Sequence, residues 1–564
     1  MSALYNIMTV INQTHVTVFS FALACLFTGI YALIKLARVG QRPKGLPPGP
    51  RTLPILGNLH AMPTFKPYKV FAEWGKIYGP VYSLMVGSNP LVMIQSQQAA
   101  KELLDKRGSN YSSRPDLYIF SELSSRGLRQ VAMKYNTTWR QIHRINHKIL
   151  NAAATRAYTP YQILESRQML VDILDSPDHY ETHIQRYSNS VTCQMVYGFR
   201  TTSWSDPKLQ SVVSIFFDVC DLAVTVSARL MDCYPILKKI PRRLLPVCRK
   251  ALDIDRRCMS VFLSRWLEVK KNILDDVAMP CFCKCIVEAQ ITEEFSDELA
   301  SYIAGDIVEA GSSTVSDELL GFLMAMVTHP DVQRRAQREI DTVVGPNRLP
   351  QLEDMELLPY IRGCVKETLR WMPTTALLVP HSPLKDDIYQ NCIIPAGASV
   401  VVNVWALNMD PATWPQPHVF DPLRFKGETR SEHEVATSSD PTSLRHNYIF
   451  GAGRRLCQGI HIAERSLFLT MACLLWGFDI STPNPTSIDT EDLRGGLAVV
   501  PAPFDCHFKP RNNAKVDVMR REWKQQRAKF LDPSTEQWIR VPEGAPLSTS
   551  PGGEWKPSNR KYPL

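Results

Sequence analysis

The stretch that decides the fold is residues 450–459, with the sequence Phe-Gly-Ala-Gly-Arg-Arg-Leu-Cys-Gln-Gly. Gly451, Gly453 and Gly459 flank Cys457, so the backbone can turn sharply there and lie close to a flat group. Because these residues have no side chains, amide N–H groups are free to point at the sulfur. A cysteine in such a loop is either a buried structural thiol, the commoner fate of a lone cysteine, or a thiolate ligand.

A thiolate held in this way suits haem iron, because its electron push favours O–O cleavage. Arg455 can form charge-assisted hydrogen bonds with a carboxylate of the macrocycle. Phe450 can pack beside the sulfur and keep water away from it. Phe450, Gly453, Arg455, Cys457 and Gly459 resemble the haem-binding loop of the cytochrome P-450 family. The resemblance implies haem b, with Cys457 as the axial ligand of the iron.

Residues 292–327 contain no proline and predict one long helix. Residues 310–314, Ala-Gly-Ser-Ser-Thr, place a glycine and three hydroxyls in its otherwise apolar middle. Ala310 and Thr314 lie at i and i+4, on one face with Asp306. The segment resembles the oxygen-activating segment of the same family.

That resemblance implies that Ala310, Gly311, Ser313 and Thr314 are catalytic and that Thr314 helps to protonate bound dioxygen. The small residue Gly311 would let a flat group approach the helix backbone, at a cost in helix stability. Ser313 departs from the family, in which an Asp or Glu usually precedes the threonine.

A basic helical segment carries Trp139 and, one turn later on the same face, His143. In the family, a tryptophan and an arginine at this spacing bond a haem propionate. His143 occupies the arginine position here and Arg144 follows it, so either can supply the cation, and a solvated basic face is the alternative. His381 matches a position that commonly bonds the other propionate. By resemblance, Arg455, Trp139 and His381 hold the propionates.

Glu367 and Arg370 lie at i and i+3, where they can form an ion pair on one helical face. This pair alone is common by chance. In the family a second arginine, here Arg424, completes the network and braces the loop that carries Cys457. Removing one member of such a buried triad would leave the other charges unpaired.

Residues 16–34 form an uncharged run near the lower limit for spanning a bilayer. No Lys or Arg precedes it, whereas Lys35, Arg38, Arg42 and Lys44 follow. The positive-inside rule then predicts a single-pass anchor in residues 1–39, with the catalytic domain in the cytosol. The family resemblance implies the endoplasmic reticulum membrane, hence contact with membrane lipid. The prolines of residues 40–54 predict a stiff hinge or a generic linker.

The catalytic domain is predicted over residues 55–511, mainly α with small β-sheets, in the cytochrome P-450 fold. Residues 512–564 are predicted to be a basic extension outside that domain. It would consist of an amphipathic helix with Val516, Met519, Trp523 and Phe530 on one face, followed by disorder from Pro533. The net charge of +9 suits an acidic membrane or protein partner, and no nucleic-acid motif accompanies it.

The resemblance implies a monooxygenase that inserts one atom of O2 into a small apolar organic substrate, with electrons from NADPH through a reductase. The sequence of the loop is most similar to that of fungal members that act in secondary metabolism. A haem-thiolate isomerase or dehydratase that needs no reductase is one alternative, which Ser313 keeps open. A non-catalytic haem-binding or assembly protein is another.

Overall fold

The structure, a computed structural model, describes residues 2–440, 445 and 447–540. Helices account for most of these residues. They are, in chain order, α1 (Ser2–Arg38), α2 (Pro67–Tyr78), α3 (Gln97–Ala100), α4 (Thr137–Leu150), α5 (Ala152–Arg156), α6 (Thr159–Asp175), α7 (Tyr180–Tyr197), α8 (Pro207–Val224), α9 (Val226–Cys233), α10 (Pro246–Leu274), α11 (Phe282–Glu293), α12 (Asp297–Thr328), α13 (Pro330–Val343), α14 (Pro359–Trp371), α15 (Val404–Asn408), α16 (Glu432–Thr437), α17 (Ile460–Gly477) and α18 (Asn513–Phe530).

In the described residues four small sheets accompany the helices, as predicted for a mainly α chain. Their strands are β1 (Val81–Val86), β2 (Asn89–Ile94), β3 (Asp387–Tyr389), β4 (Cys392–Ile394), β5 (Ser399–Val402), β6 (Phe478–Ser481), β7 (Leu493–Gly495), β8 (Val499–Pro501) and β9 (His507–Pro510). β1 pairs antiparallel with β2, and β5 adds to β2 in parallel. The other sheets are the antiparallel pairs β3–β4, β6–β9 and β7–β8.

α12 lies at the centre of the core and packs against α7, α10, α14 and α17. The predicted single helix over residues 292–327 is wrong at its start. Glu294 adopts a left-handed conformation with φ of 47° and closes α11. α12 then begins after Ser296, whose hydroxyl accepts a hydrogen bond from the Leu299 amide at 3.2 Å. Such a cap satisfies a backbone donor that the first helical turn leaves free.

The first helix, α1, has an apolar segment from Val18 to Arg38 that is long enough to cross a membrane. The side chains of this segment whose burial is described are exposed. The following Pro-rich segment is fixed to the domain rather than free. Arg42 donates to the carbonyl oxygens of Gly49 at 2.9 Å and Pro50 at 2.8 Å, and the Ser83 amide donates to Pro48 at 2.7 Å.

The prediction that residues 512–564 lie outside the catalytic domain is wrong for the part that the structure describes. α18 packs against α6 and α17, and Met519, Leu531 and Trp538 are buried in the main core. The Trp538 indole N–H donates to Gln194 Oε1 at 2.6 Å. The predicted disorder from Pro533 is therefore wrong up to residue 540, and residues 541–564 are outside the described part of the chain.

Candidate haem site

The loop before α17 holds Cys457 by backbone contacts. Gly451 and Gly453 have φ of 80° and 54°, a left-handed conformation that glycine adopts without strain. A Cβ on Gly453 would also overlap the Leu104 carbonyl oxygen, so only glycine fits there. Gly459 has an ordinary φ of −81°, and the predicted sharp turn is absent at that position.

The sulfur of Cys457 faces a space inside the protein, because its side chain has accessible surface although the surrounding protein buries it. Burial raises the pKa of the thiol, and a hydrogen bond from the Gly459 amide lowers it. The Cys457 amide itself donates to the Phe450 carbonyl at 2.7 Å. One backbone donor is therefore aimed at the sulfur, as the glycine pattern predicted, and it favours the thiolate form.

Two residues that the sequence analysis did not identify fix this loop. Asp105 accepts hydrogen bonds from the Gly453 amide at 2.9 Å and from Arg445 Nη2 at 2.7 Å. Arg445 Nη1 donates to the Gly451 carbonyl at 2.6 Å. The two contacts of Asp105 join residues about 340 positions apart in the chain, so no local pattern could have shown them.

The exposed face of α12 is defined by Asp306, Ala310 and Thr314, which follow one another at i+4 spacing. These positions keep accessible surface although the rest of the helix is largely buried. The Thr314 hydroxyl donates to the Ala310 carbonyl at 2.9 Å. Asp306, Ala310 and Thr314 therefore share a face that opens into the interior, as predicted.

Gly311 and Ser313 lie away from that face. A Cβ on Gly311 would come within 2.8 Å of the Thr192 side chain, so the glycine allows α7 to approach α12 closely. The prediction that Gly311 makes room for a flat group is wrong for this reason. Ser313 is buried, and its carbonyl accepts a hydrogen bond from the Ser316 hydroxyl.

Arg455 lies over the Trp139 ring, with Cζ 4.2 Å from the ring centroid. Its guanidinium donates to the carbonyl oxygens of Ser112 at 2.7 Å and Met133 at 2.7 Å. Burial lowers the pKa of Arg455 to about 9. The structure thus brings together two of the predicted propionate-binding residues.

His143 stacks beside Trp139 with ring centroids 4.7 Å apart, and burial lowers its pKa. Arg144 points elsewhere: its side chain is exposed and lies 3.4 Å from Glu293 Oε2. The prediction that Arg144 supplies the propionate cation is therefore wrong. The two neighbours differ because a step of one residue on a helix rotates the side chain by about 100°.

A further buried cation, Arg114, lies beside His381 and Arg455. Arg114 donates to the carbonyl oxygens of Val131, Val379 and Pro380 at 2.8–2.9 Å. Burial, and then the charge of Arg455, lower its pKa well below the ordinary value.

His381 is fully buried and shares a hydrogen bond of 2.9 Å between Nδ1 and the Tyr111 carbonyl. Burial lowers its pKa to about 3, with contributions from the charges of Arg114 and Arg455. We call the two cations Arg114 and Arg455, together with the neutral His381 beside them, the open cation cluster. Among the described residues no carboxylate pairs with any of the three.

A buried group of basic side chains without a counter-charge is costly and fits an anionic ligand. Two carboxylates at the edge of a planar group, close to a thiol that faces the interior, would complete it. The donor set therefore fits a haem, whose propionates the open cation cluster would hold and whose iron Cys457 would bind.

The buried triad that the family resemblance implied is present. Arg370 donates to Glu367 through Nε at 2.7 Å and Nη2 at 2.6 Å, and Arg424 Nε donates to Glu367 Oε1 at 3.2 Å. The Asp421 amide also donates to Glu367 Oε1, at 2.9 Å. We call Glu367, Arg370 and Arg424 the closed triad.

Comparison with known proteins agrees with this site. The family model described as Cytochrome P-450 matches residues 47–508. The cytochrome P-450 monooxygenase fogE of Aspergillus ruber is 42% identical, over 91% of this chain and 96% of its own length. The monooxygenase virE of Hypocrea virens is 42% identical over 92% and 94% of the two chains, and fsoB of Humicola fuscoatra is 40% identical over 95% and 100%.

The chain therefore belongs to the cytochrome P-450 family, whose members hold a haem-thiolate iron. The names of its relatives place it among the monooxygenases, that is, oxidoreductases that incorporate molecular oxygen.

Proposed function

We propose that this chain is a haem-thiolate monooxygenase of fungal secondary metabolism, with Cys457 as the ligand of the iron. The observation that carries this assignment is the interior-facing sulfur of Cys457 next to a cation cluster without a carboxylate. When bound, a thiolate-ligated haem supplies the activation of O2. The protein would supply the thiolate and the propionate-binding cations.

The assignment is tested by Cys457→Ala, which should abolish the reduced carbon monoxide spectrum of thiolate-ligated haem. Cys473→Ala is the matched control, because Cys473 is a buried thiol of α17 that has contacts with Arg167 and the Pro350 carbonyl. It should keep the spectrum. A thiolate spectrum that survives in Cys457→Ala would refute the assignment.

We propose further that electrons come from NADPH through a membrane-bound reductase and that the substrate is a small organic molecule. The balanced reaction consumes one O2, two electrons and two protons, and gives one oxygenated product and one water. Omitting NADPH or reductase should therefore stop product formation. Product that forms without either would favour the isomerase or dehydratase, and a protein that binds haem but converts no metabolite would favour an assembly role.

We assign proton delivery to Thr314, with Asp317 as the carboxyl behind it. One oxygen of Asp306, Oδ2, accepts a hydrogen bond from the Gln130 amide at 2.7 Å, whereas neither oxygen of Asp317 has a hydrogen-bond partner among the described residues. Burial raises the pKa of Asp317 to about 8, so it carries a proton at neutral pH. Asp317 follows Thr314 by three residues, close to one helical turn, and can take the role that Ser313 cannot fill.

Thr314→Ala should bind substrate but lose product, by up to ~10²–10⁴-fold, while NADPH is still consumed and hydrogen peroxide accumulates. Asp317→Asn should act in the same direction. Glu298→Gln is the control, since Glu298 is an exposed carboxylate at the start of the same helix, more than four turns before Thr314. Full product yield per NADPH in both Thr314→Ala and Asp317→Asn would exclude this route.

We propose that α1 anchors the protein in the endoplasmic reticulum membrane, with the catalytic domain in the cytosol. The support is the exposed apolar segment Val18–Arg38 and the basic residues that follow it. Protease added to intact microsomes should digest the catalytic domain. Protection like that of a lumenal protein would reverse the orientation.

A further inference from the structure

A second buried polar group lies on α12, apart from the thiol and the open cation cluster. It consists of Arg129, Tyr302, Asp306 and Glu309, which we call the polar cluster. Arg129 is 3% exposed and Glu309 4%, and Arg129 Nη1 forms an ion pair with Glu309 Oε2. The Gln130 amide donates to Asp306 Oδ2 at 2.7 Å. These contacts join the loop before α4 to the middle of α12.

The hydrogen bonding of this cluster is incomplete. Four polar atoms of the cluster are buried and have no hydrogen-bond partner among the described residues: Arg129 Nε, the Tyr302 hydroxyl, Asp306 Oδ1 and Glu309 Oε1. A buried polar atom without a partner costs about 1–3 kcal/mol. The closed triad, by contrast, leaves no such atom. Four open atoms in one cluster indicate that a further polar group completes it.

The polar cluster lies along the same helix face as the proposed proton gate. Tyr302, Asp306, Ala310 and Thr314 follow one another at i+4 spacing and form one stripe on α12. Asp306 precedes Thr314 by eight residues, about 12 Å along the helix axis. Asp306 is also the cluster member that is partly exposed as a residue, although its Oδ1 is buried, so it lies nearest the open face of α12.

Across from the polar cluster on α12 lie α8 and the β7–β8 hairpin. A Cβ on Gly496, at the hairpin tip, would lie 2.7 Å from the Cys220 carbonyl oxygen of α8, so the two elements touch. Burial raises the pKa of Cys220, and the charges of Glu309 and Arg129 also act on it. The polar cluster is therefore near the place where α8, α12 and the hairpin tip meet.

The four buried atoms without partners determine which chemical groups of a ligand could bind there. Two are carboxylate acceptors, one is a guanidinium donor and one is a phenol. A carboxylate ligand would add a further acidic group beside Asp306 and Glu309, where burial already raises the pKa of Asp306 to about 7. A protonated amine would face the Arg129 cation and leave its Nε without an acceptor. A hydroxyl donates one hydrogen bond and accepts others, so it can satisfy a carboxylate oxygen and a donor together.

We propose that the polar cluster binds a hydroxyl group of the substrate and thereby sets which end of the molecule reaches the haem. The proposal rests on the proposed function, because it takes this region to be the substrate cavity, and it corrects the expectation of a purely apolar substrate. A hydroxyl anchored at Asp306 would hold the oxidised carbon about 12 Å away, close to Thr314.

The test uses the haem-loaded, full-length enzyme and matched probes: 4-nonylphenol and 1-dodecanol, each with its methyl ether, which has no donor. Affinity is measured by equilibrium dialysis and by the shift of the haem absorption band. The wild type should bind each hydroxyl compound about 10- to 100-fold more tightly than its ether, as one charge-assisted hydrogen bond provides. 4-Nonylbenzoic acid and 4-nonylbenzylamine should bind more weakly than the phenol.

Two variants should reduce that preference. Asp306→Asn places an N–H2 donor where the open acceptor was, and Tyr302→Phe removes a hydroxyl that has no partner, so the fold should tolerate it. Tyr158→Phe is the matched control, because Tyr158 is also buried with an unpartnered hydroxyl but packs against Phe282, away from the cluster. It should leave the ratio unchanged.

The proposal would be overturned if, with both scaffolds, the wild type bound the hydroxyl compound no more tightly than its methyl ether, or bound neither. The cluster would then be a site for water only. Equal ratios in wild type, Asp306→Asn and Tyr302→Phe would overturn the proposal as well, and so would tighter binding of the acid or the amine. Failure of the proposed function is distinguishable, because the same samples would then lack the thiolate spectrum with carbon monoxide.

Discussion

The closed triad and the open cation cluster are both built from buried arginines, and they differ in what balances the charge. Glu367 lies within 3.2 Å of both Arg370 and Arg424, so the triad contains its own counter-charge. Within the described part of the chain, Arg114 and Arg455 donate only to backbone carbonyls. The first arrangement is complete within the protein, whereas the second needs an anion from outside it.

This difference separates stability from binding. A buried charge that loses its only partner destabilises the fold, whereas a buried cation without a partner already has a lowered pKa and gains from a ligand. Substitutions in closed clusters should therefore unfold the protein, and substitutions in the open cluster should mainly release the haem.

The largest loss of stability is expected from removing the C-terminal segment, because this segment completes a third cluster of buried arginines. Arg200 donates to Glu165 Oε1 at 2.6 Å and to the Glu536 carbonyl at 2.7 Å. Ending the chain after Arg511 would open this cluster and remove Met519 and Trp538 from the core. Each lost side chain costs about 2–5 kcal/mol. Since a folded chain has about 5–15 kcal/mol in total, we expect no folded protein by circular dichroism.

The control ends the chain after Arg540, so the Trp538 contact with Gln194 is kept. That variant should melt like the full-length chain. A chain ending at Arg511 that still folds and binds haem would show that the extension is dispensable, as its composition alone suggested.

The second largest loss of stability is expected for Glu367→Gln, which leaves Arg370 and Arg424 without a counter-charge. The free energy of unfolding should fall by about 3–5 kcal/mol, measured by urea titration. Glu356→Gln is the control, because the ion pair of Glu356 with Arg362 is 75% exposed at the carboxylate. That change should cost at most about 1 kcal/mol. Equal losses in the two variants would contradict the distinction.

A different outcome is expected for Arg455→Leu. Haem affinity should fall about 10- to 100-fold, because charge-assisted hydrogen bonds to a propionate are lost. The apoprotein should unfold at nearly the same urea concentration as wild type, since no carboxylate is left unpaired. Haem loss is measured by transfer to an excess of an acceptor protein.

Arg454→Leu provides the comparison for Arg455, because the neighbouring Arg454 is exposed and donates to the Tyr135 hydroxyl. It should keep haem as the wild type does. If the two variants lose haem equally fast, the propionate assignment of Arg455 is wrong.

The smallest predicted effect is a pH dependence of the stability of the apoprotein, which arises from His381. Its pKa of about 3 lies below the unfolded value of about 6.5, so the folded state disfavours the proton. The stability that this depressed pKa contributes is present above pH ~6.5 and is lost as the pH falls toward 3. Between pH 7 and 5.5 the loss should be about 1 kcal/mol, and His381→Gln should not show it.

Haem should reduce that loss, because propionate carboxylates near His381 would raise its pKa. The measurement is urea unfolding at both pH values, with and without haem. The same pH dependence in wild type, with and without haem, and in His381→Gln would show that the open cation cluster does not meet the propionates.

The sequence by itself determined the features that depend on local spacing. The Cys457 loop, the shared face of Ala310 and Thr314 on α12, and the Glu367–Arg370 pair all follow from residues within one turn or one loop. A helix fixes which side chains are neighbours at i+3 and i+4, so these predictions needed no knowledge of packing.

The tertiary structure alone decided what each face meets. It directed Arg144 to Glu293 and Gly311 to Thr192, away from the site. It also brought Arg114 to the open cation cluster and placed Trp538 in the core, although composition alone suggested a loose tail. These outcomes depend on contacts between distant segments, and burial is a property of the assembled core that no single stretch of sequence contains.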